Sequence, residues 1–362
     1  MKRILIASDA WHPQINGVVR TLERLDRHLP ELGWATIMLT PDGFLTFPCP
    51  TYPEIRLAVT TPGDIARRLD AINPDHVHIA TEGPLGFAVR RWCIKRRRIF
   101  TTSYHTRFPE YLAARLPIPV GWTYALLRAF HNAGAGCMVA TPSIEDELKA
   151  RGFHNLMRWS RGVDADMFRP GRNRNALDLP RPIWLYVGRV SVEKNIGAFL
   201  DLDLPGSKVV VGDGPALEGL RRAHPDVTFL GAKIDDELAD IYSASDCFVF
   251  PSRTDTFGVV MLEAMASGLP VAAYPVAGPQ DVVGGTGAGV LDEDLRAAAL
   301  KALEIPRETC RDVALRSSWQ AATRQFLDNV TGIHGWGPAQ PSASCGLPSG
   351  RDLSLIGTTD SR

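Results

Sequence analysis

The sequence predicts an α/β protein built as two doubly wound parallel-sheet domains facing a cleft. Three observations carry this. Short, continuously apolar, β-branched runs alternate with helical stretches, as in strands covered on both faces by crossover helices. The series stops at a polar, Pro-rich stretch, Arg169–Pro182, and starts afresh at Ile183. The chain has 362 residues and is 45% hydrophobic, enough for two full cores.

In the first series, Lys2–Ser8 is an apolar strand, Gly17–Leu32 a helix and Ala35–Leu39 the next strand. His76–Ile79 and Ile99–Thr102 are further short strands, and Pro142–Arg151 is a helix opened by Thr141 or Pro142. In the second series Ile183–Val187 ends at Gly188, Lys208–Val211 at Gly212 and Val227–Leu230 at Gly231. Cys247–Phe250 then ends at Pro251, and Val271–Tyr274 follows. The longest apolar stretch, Phe257–Gly278, contains Glu263, internal glycines and two prolines. It therefore reads as buried helix, turn and strand, and no segment reads as a membrane span. Ser317–Asn329 is helical in pattern, with Trp319, Ala322, Phe326 and Leu327 on one side. The expected boundaries are a first domain over 1–168, a linker over 169–182 and a second domain over 183–316. A helix over 317–330 is expected to return to the first domain. Residues 331–362, rich in Gly, Pro and Ser, read as a disordered tail.

Forty basic and forty acidic residues cancel, but not evenly along the chain. Residues 1–175 hold 24 basic against 16 acidic (+8), and the remainder 16 against 24 (−8), which suggests two bodies with different partners. The six cysteines are widely scattered, which argues against a zinc site or disulfide framework and fits a reducing cytoplasm. The N-terminal run Ile4–Ile6 is too short for a signal peptide.

Four constellations carry chemistry. Tyr186-Val-Gly188-Arg189-Val-Ser-Val-Glu193-Lys194 delivers two cations just beyond a strand's carboxyl end, where open α/β sheets bind ligands. Arg189 and Lys194 could converge there on a dianion; alone, the pair reads more readily as two solvated surface cations. After Cys247–Phe250, Asp255 lies in a loop, and Glu263 lies about two turns into an otherwise apolar helix, where a carboxylate needs donors such as ligand hydroxyls. His105 follows a strand at the cleft edge of the basic half, and His12-Pro-Gln-Ile-Asn16-Gly17 makes a tight strand-to-helix turn. Neither common nucleotide-binding glycine fingerprint occurs where such a fold needs it.

Taken jointly and in order, these residues resemble a known family. The order runs Asn16-Gly17, His105, Gly188-Arg189…Glu193-Lys194, Gly212-Asp-Gly-Pro215, Phe229-Leu-Gly231 and Phe257-Gly258…Glu263-Ala-Met-Ala-Ser-Gly268. Residues 1–330 are similar to retaining glycosyltransferases of family 4, which have the GT-B fold of two Rossmann-like domains. Thr81-Glu-Gly-Pro-Leu-Gly86 and Ser103-Tyr-His-Thr-Arg-Phe-Pro-Glu-Tyr111 resemble bacterial members near the diacylglycerol and sulfolipid glycosyltransferases, and also some mannosyltransferases. The resemblance implies that Arg189 and Lys194, after Gly188, bind the diphosphate of a nucleotide-sugar, and that Glu263 accepts from the ribose. It implies that Asp255 holds donor-sugar hydroxyls and that Phe257, Gly258 and Val259 offer amides. Lys233 and Ile234 would lie at the base, His105 at the donor sugar, and Asn16-Gly17 over the phosphates. His105, Arg189, Lys194 and Asp255 are the catalytic candidates. Two departures stand out: the family's Glu-x7-Glu pair is Asp255…Glu263, and its first Gly-Gly is Asn16-Gly17.

The expected chemistry is transfer of a hexose or hexuronate to a hydroxyl without a metal, since no Asp-x-Asp motif is evident. A UDP-sugar is expected ahead of GDP-mannose. The basic first domain should hold the acceptor. Arg90, Arg91 and Lys95–Arg98, with the apolar stretch Tyr111–Phe130, suggest an anionic membrane surface and a glycerolipid acceptor, with the enzyme peripheral on the inner face of the cell membrane. The alternatives are a GDP-mannose-dependent mannosyltransferase on a glycan or soluble acceptor, and a catalytically silent GT-B protein that binds a glycan or nucleotide. Zero net charge and the lack of an aromatic-basic platform count against nucleic acid.

Overall fold

In a computed structural model, residues 1–14, 16–49, 52–113 and 119–336 are described. The strands are β1 (Lys2–Ala7), β2 (Trp34–Leu39), β3 (Thr46–Cys49), β4 (Tyr52–Ala58), β5 (His76–Ile79), β6 (Phe100–Tyr104), β7 (Gly136–Val139) and β8 (Leu156–Arg158). The second series is β9 (Ile183–Val187), β10 (Ser207–Val211), β11 (Thr228–Phe229), β12 (Cys247–Phe250), β13 (Val271–Ala273) and β14 (Gly289–Leu291). Two six-stranded sheets result, ordered β2-β1-β5-β6-β7-β8 and β11-β10-β9-β12-β13-β14, and their pairings are parallel.

Alternate residues of each central strand feed cores on opposite faces. Ile183, Leu185 and Val187 of β9 pack with Phe248 and Met265, while Trp184 and Tyr186 pack with Phe199 and Val249. In β1, Leu5 and Ala7 face Val89 and Phe130, whereas Ile4 and Ile6 face Leu22 and Leu25. Burial on both faces explains why these strands read as unbroken apolar runs.

Several boundaries move. The helix expected to reach Leu32 stops at His28, because Pro30 has no N–H to continue it; Pro30–Leu32 forms a 3-10 turn closed by Gly33. Strand Val227–Leu230 shrinks to Thr228–Phe229, and Ile99–Thr102 becomes Phe100–Tyr104. The antiparallel pair β3–β4 is an addition, its pattern hidden by Pro48 and Pro53. In the 169–182 segment, Arg172 pairs with Asp236 and Asp240, while Arg174 and Arg181 pair with Asp246.

The final helix spans Trp319–His334, so the expected tail boundary at 331 is displaced. Phe326, Leu327 and Val330 fill the core beside Ile4 and Ile6, and Thr331 is buried. Trp336 stacks on His334 and lies under the Lys2 ammonium. Residues 337–362 lie outside the described residues, as do Arg115, Leu116, Ile118 and Cys345. Among the described residues no helix is long and apolar enough to cross a membrane.

Candidate active site

The second sheet reverses its strand order between β9 and β12, so a crevice opens at their carboxyl ends. Both principal motifs emerge there. Beyond β9, Gly188 and Arg189 lead into a 3-10 turn, Val192–Lys194; beyond β12 comes the loop Pro251–Phe257. The loops are cross-linked. Asn195 Nδ2 donates to the Pro251 carbonyl at 3.1 Å, and Thr254 Oγ1 donates to the Glu193 carbonyl at 3.1 Å. Lys194 Nζ pairs with Asp255 Oδ1 at 2.5 Å, and the second oxygen of Asp255 is buried without a hydrogen-bond partner among the described residues. Tyr186 Oη donates to the Arg189 carbonyl, fixing the backbone that carries this half-buried cation.

Neighbouring strand ends complete the rim. Gly212 N donates to the Gly231 carbonyl and Val190 N to the Asp213 carbonyl, which ties the β9, β10 and β11 loops together. Lys233, past β11, pairs with Glu237, while Ile234 is exposed. The helix Val259–Ala266 opens at Gly258 with no side-chain cap, so its first amides point out of the helix unclaimed by a side chain. That is a fitting seat for an anion. Gly258 sits at φ 84°, and a Cβ there would lie 2.7 Å from Met261 Cε. Phe257 and Val259 flank it, both half-buried.

The first domain meets this rim directly. Asn16 caps the helix Gly17–His28, its Oδ1 accepting from the Val18 and Val19 amides at 3.0 Å, and Gly17 is exposed. One turn on, Arg20 reaches across to Glu263 Oε1 at 2.6 Å, and Tyr242 Oη donates to Glu263 Oε2 at 3.1 Å. Glu263 is 4% exposed, and its two carboxylate oxygens are shared between these partners. Its charge in turn raises the pKa of Arg20. Thr256 Oγ1 donates to the His105 carbonyl at 2.6 Å, and Ser143 Oγ to Asp281 Oδ1 at 2.9 Å. The structure therefore joins Lys194 to Asp255 and, through Thr256, joins the same loop to His105 of the first domain, with Arg189 at the end of β9 and Gly258 at the start of the helix that follows the loop. Lys233 and Ile234 stand farther along the rim. Sequence reasoning missed Arg20, Tyr242 and Arg161; Arg161 Nη2 lies 3.1 Å from His105 Nδ1. The only local hint of Arg161 was Arg161-Gly-Val-Asp164 just before the polar stretch. Among the described residues no cluster of three or more His, Cys, Asp or Glu side chains could hold a metal ion.

Two facing α/β domains with a cationic, amide-lined crevice at the switch point define a GT-B glycosyltransferase. The model described as glycosyltransferase family 4 matches residues 15–167, and that described as glycosyl transferases group 1 matches residues 181–305. The chain is 30% identical over 322 residues to a GDP-mannose-dependent alpha-mannosyltransferase of Mycolicibacterium smegmatis, covering 80% of this chain and 84% of that one. It is 28% identical over 358 residues to a sulfoquinovosyl transferase of Arabidopsis thaliana, covering 86% of this chain and 70% of that one. A sucrose-phosphate synthase from Thermosynechococcus elongatus shares the fold at a TM-score of 0.72 and 21% identity, covering 92% and 100%. The chain belongs to glycosyltransferase family 4 and is a hexosyltransferase that uses a nucleotide-sugar donor.

Proposed function

We propose that the enzyme transfers a hexose or hexuronate from a UDP-sugar to a membrane glycerolipid, with retention at the anomeric carbon and without a metal. What supports the donor side is Lys194 tied to Asp255 across the ends of β9 and β12, with Arg189 following β9 and the uncapped helix at Gly258 opening from the same loop as Asp255. Breaking a glycosyl phosphate builds negative charge on the leaving diphosphate, and two fixed cations with helix amides stabilise it. Asp255 Oδ2 is available to a sugar hydroxyl. With no second carboxylate poised as nucleophile, the leaving phosphate takes the acceptor's proton on the same face of the sugar. A ribose at Glu263 would share it with, or displace, Arg20 and Tyr242.

The acceptor side rests on a mixed basic and apolar surface of the first domain. Trp122 and Leu126 are 76% and 54% exposed on the helix Val120–His131, whereas Leu127 and Phe130 of the same stretch are core. The helix Pro84–Arg96 lies alongside, Arg90 donating to the Ala129 and Phe130 carbonyls. Arg91, Lys95 and Arg97 are exposed there; Arg96 is paired with Asp70, and Arg98 donates to the Pro74 carbonyl. Each exposed cation near an anionic surface contributes about 1 kcal/mol. Peripheral attachment to the inner face of the cell membrane follows from this reading. The similarity to a sulfoquinovosyl transferase supports it. The similarity to a GDP-mannose-dependent mannosyltransferase favours a second reading, with GDP-mannose as donor and a glycan or soluble acceptor.

Thermal-shift screening of UDP- and GDP-sugars separates the two, because a bound donor stabilises the fold. Product NMR then reads the anomeric configuration. Transfer should persist in EDTA, and a complete, reversible loss would overturn the metal-free reading. Co-sedimentation with anionic vesicles should succeed at low salt and weaken as salt rises, since screening acts within about 8–10 Å at physiological ionic strength. A protein that stays in the supernatant under every condition would favour the soluble acceptor.

A further inference from the structure

His105 is half-buried beside the Trp159 ring, and one guanidinium lies within hydrogen-bond distance of it. Arg161 is 5% exposed; its Nη1 donates to the Trp159 and Ser160 carbonyls at 2.6 and 3.0 Å, and its plane lies over the Trp159 ring. These contacts leave Nη2 aimed at His105 Nδ1, 3.1 Å away. A guanidinium has donors only, so Nδ1 must be the acceptor of this bond and carry no proton. A neutral imidazole with a bare Nδ1 holds its proton on Nε2, and that nitrogen is buried without a partner among the described residues.

We propose that Arg161 is a positioning residue that fixes His105 as the neutral Nε2–H tautomer, so that the crevice meets a rigid N–H donor for a hydroxyl of the donor sugar. This rests on the reading of the crevice as the donor site. In that role His105 donates a hydrogen bond and does not take the acceptor's proton. Protonating the ring would turn an Nδ1–H against the guanidinium, so the pair resists acid. Burial and then Arg161 hold the His105 pKa well below the ordinary value, with smaller contributions from His78 and His131. These two neighbours are themselves bonded, His78 to Thr101 and Ser103, and His131 to Thr102 and Glu82. From the second domain, the facing loop brings Asp255, whose charge is matched by Lys194.

The test begins with the wild-type protein labelled with 15N in its histidines, His105 being assigned by comparison with His105→Gln. The expected spectrum shows the Nε2–H form unchanged from about pH 8 to about pH 5.5, well past the ordinary histidine value. An Nδ1–H form, or a ring that titrates in that window, overturns the proposal. Kinetically, Arg161→Met should lower kcat by about tenfold or more and change KM for the nucleotide-sugar less. It should also bring an acid limb to higher pH than in the wild type, because the guanidinium no longer opposes a ring proton, while burial still holds His105 below its ordinary value. Arg161→Lys, which still offers a donor to Nδ1, should restore part of kcat and return the limb to lower pH. A folded Arg161→Met with unchanged kcat and pH profile overturns it. The tautomer is read without turnover, so failure to transfer from any nucleotide-sugar would refute the donor-site reading and leave the tautomer result standing.

Discussion

At the scale of single residues, the proposed donor site rests on Arg189 and Lys194 as the cations that meet a leaving diphosphate. Arg189→Ala and Lys194→Ala should each leave a folded protein and lose about 2–4 kcal/mol of transition-state stabilisation. Steady-state kinetics with the true donor checks this; near-normal turnover in either folded variant would refute the diphosphate assignment. Arg189, Lys194, Asp255 and Glu263 could be singled out from the sequence because each follows soon after an apolar strand, and the family resemblance supplied their expected roles. Arg20, Tyr242 and Arg161 could not, because they reach their partners from 243, 21 and 56 positions away. No spacing rule joins Arg20 to Glu263; only the closed fold does.

At the scale of elements, one carboxylate organises the start of a helix from a distant strand. Asp9, just past β1, accepts from the Leu85 and Gly86 amides at 2.9 and 3.2 Å and from Thr81 Oγ1 at 3.0 Å. It thereby caps the helix Pro84–Arg96, whose own N-cap, Gly83, has no side chain to do so. A Cβ on Gly83 would lie 2.3 Å from Asp9 Cγ, so the close approach requires glycine. Burial raises the Asp9 pKa, and its hydrogen bonds hold it down against that. Asp9→Ala should cost about 1–3 kcal/mol in urea denaturation, by leaving buried amides unsatisfied. An unchanged midpoint would contradict the cap. The segment Thr81-Glu-Gly-Pro-Leu-Gly86 thus has a structural role visible only when β1 is beside it. Strand existence was readable from apolar runs, but strand ends were not, because pairing rather than composition sets them.

At the scale of the whole molecule, a hydrogen-bonded chain runs from the first sheet to the last helix. Ser103 Oγ meets His78 Nε2, His78 Nδ1 and His76 Nε2 share Thr101 Oγ1, and His76 Nδ1 meets His334 Nε2 at 2.9 Å. Burial pushes His78 down to about 3 and His76 well below its ordinary value, so both are neutral in the fold. The unfolded chain binds protons below about pH 6.5 and the folded chain does not, so stability is full above that value and falls as pH drops toward the folded values. At pH 5 the loss should be about 2 kcal/mol per histidine. Urea midpoints that stay level from about pH 7 to about pH 4.5 would contradict it.

The last helix also sets the timetable of folding. Trp319–His334 follows the entire second domain, yet Phe326, Leu327 and Val330 cover Ile4, Ile6 and Leu22 of the first. A nascent chain therefore carries its first sheet with part of one face uncovered, beside the helix Gly17–His28, while about 150 further residues are made, on the order of ten seconds or more at typical synthesis rates. The second domain can close as soon as its own strands emerge. The domain begun first is finished last, and for that interval the strip awaiting the last helix is open to chaperones.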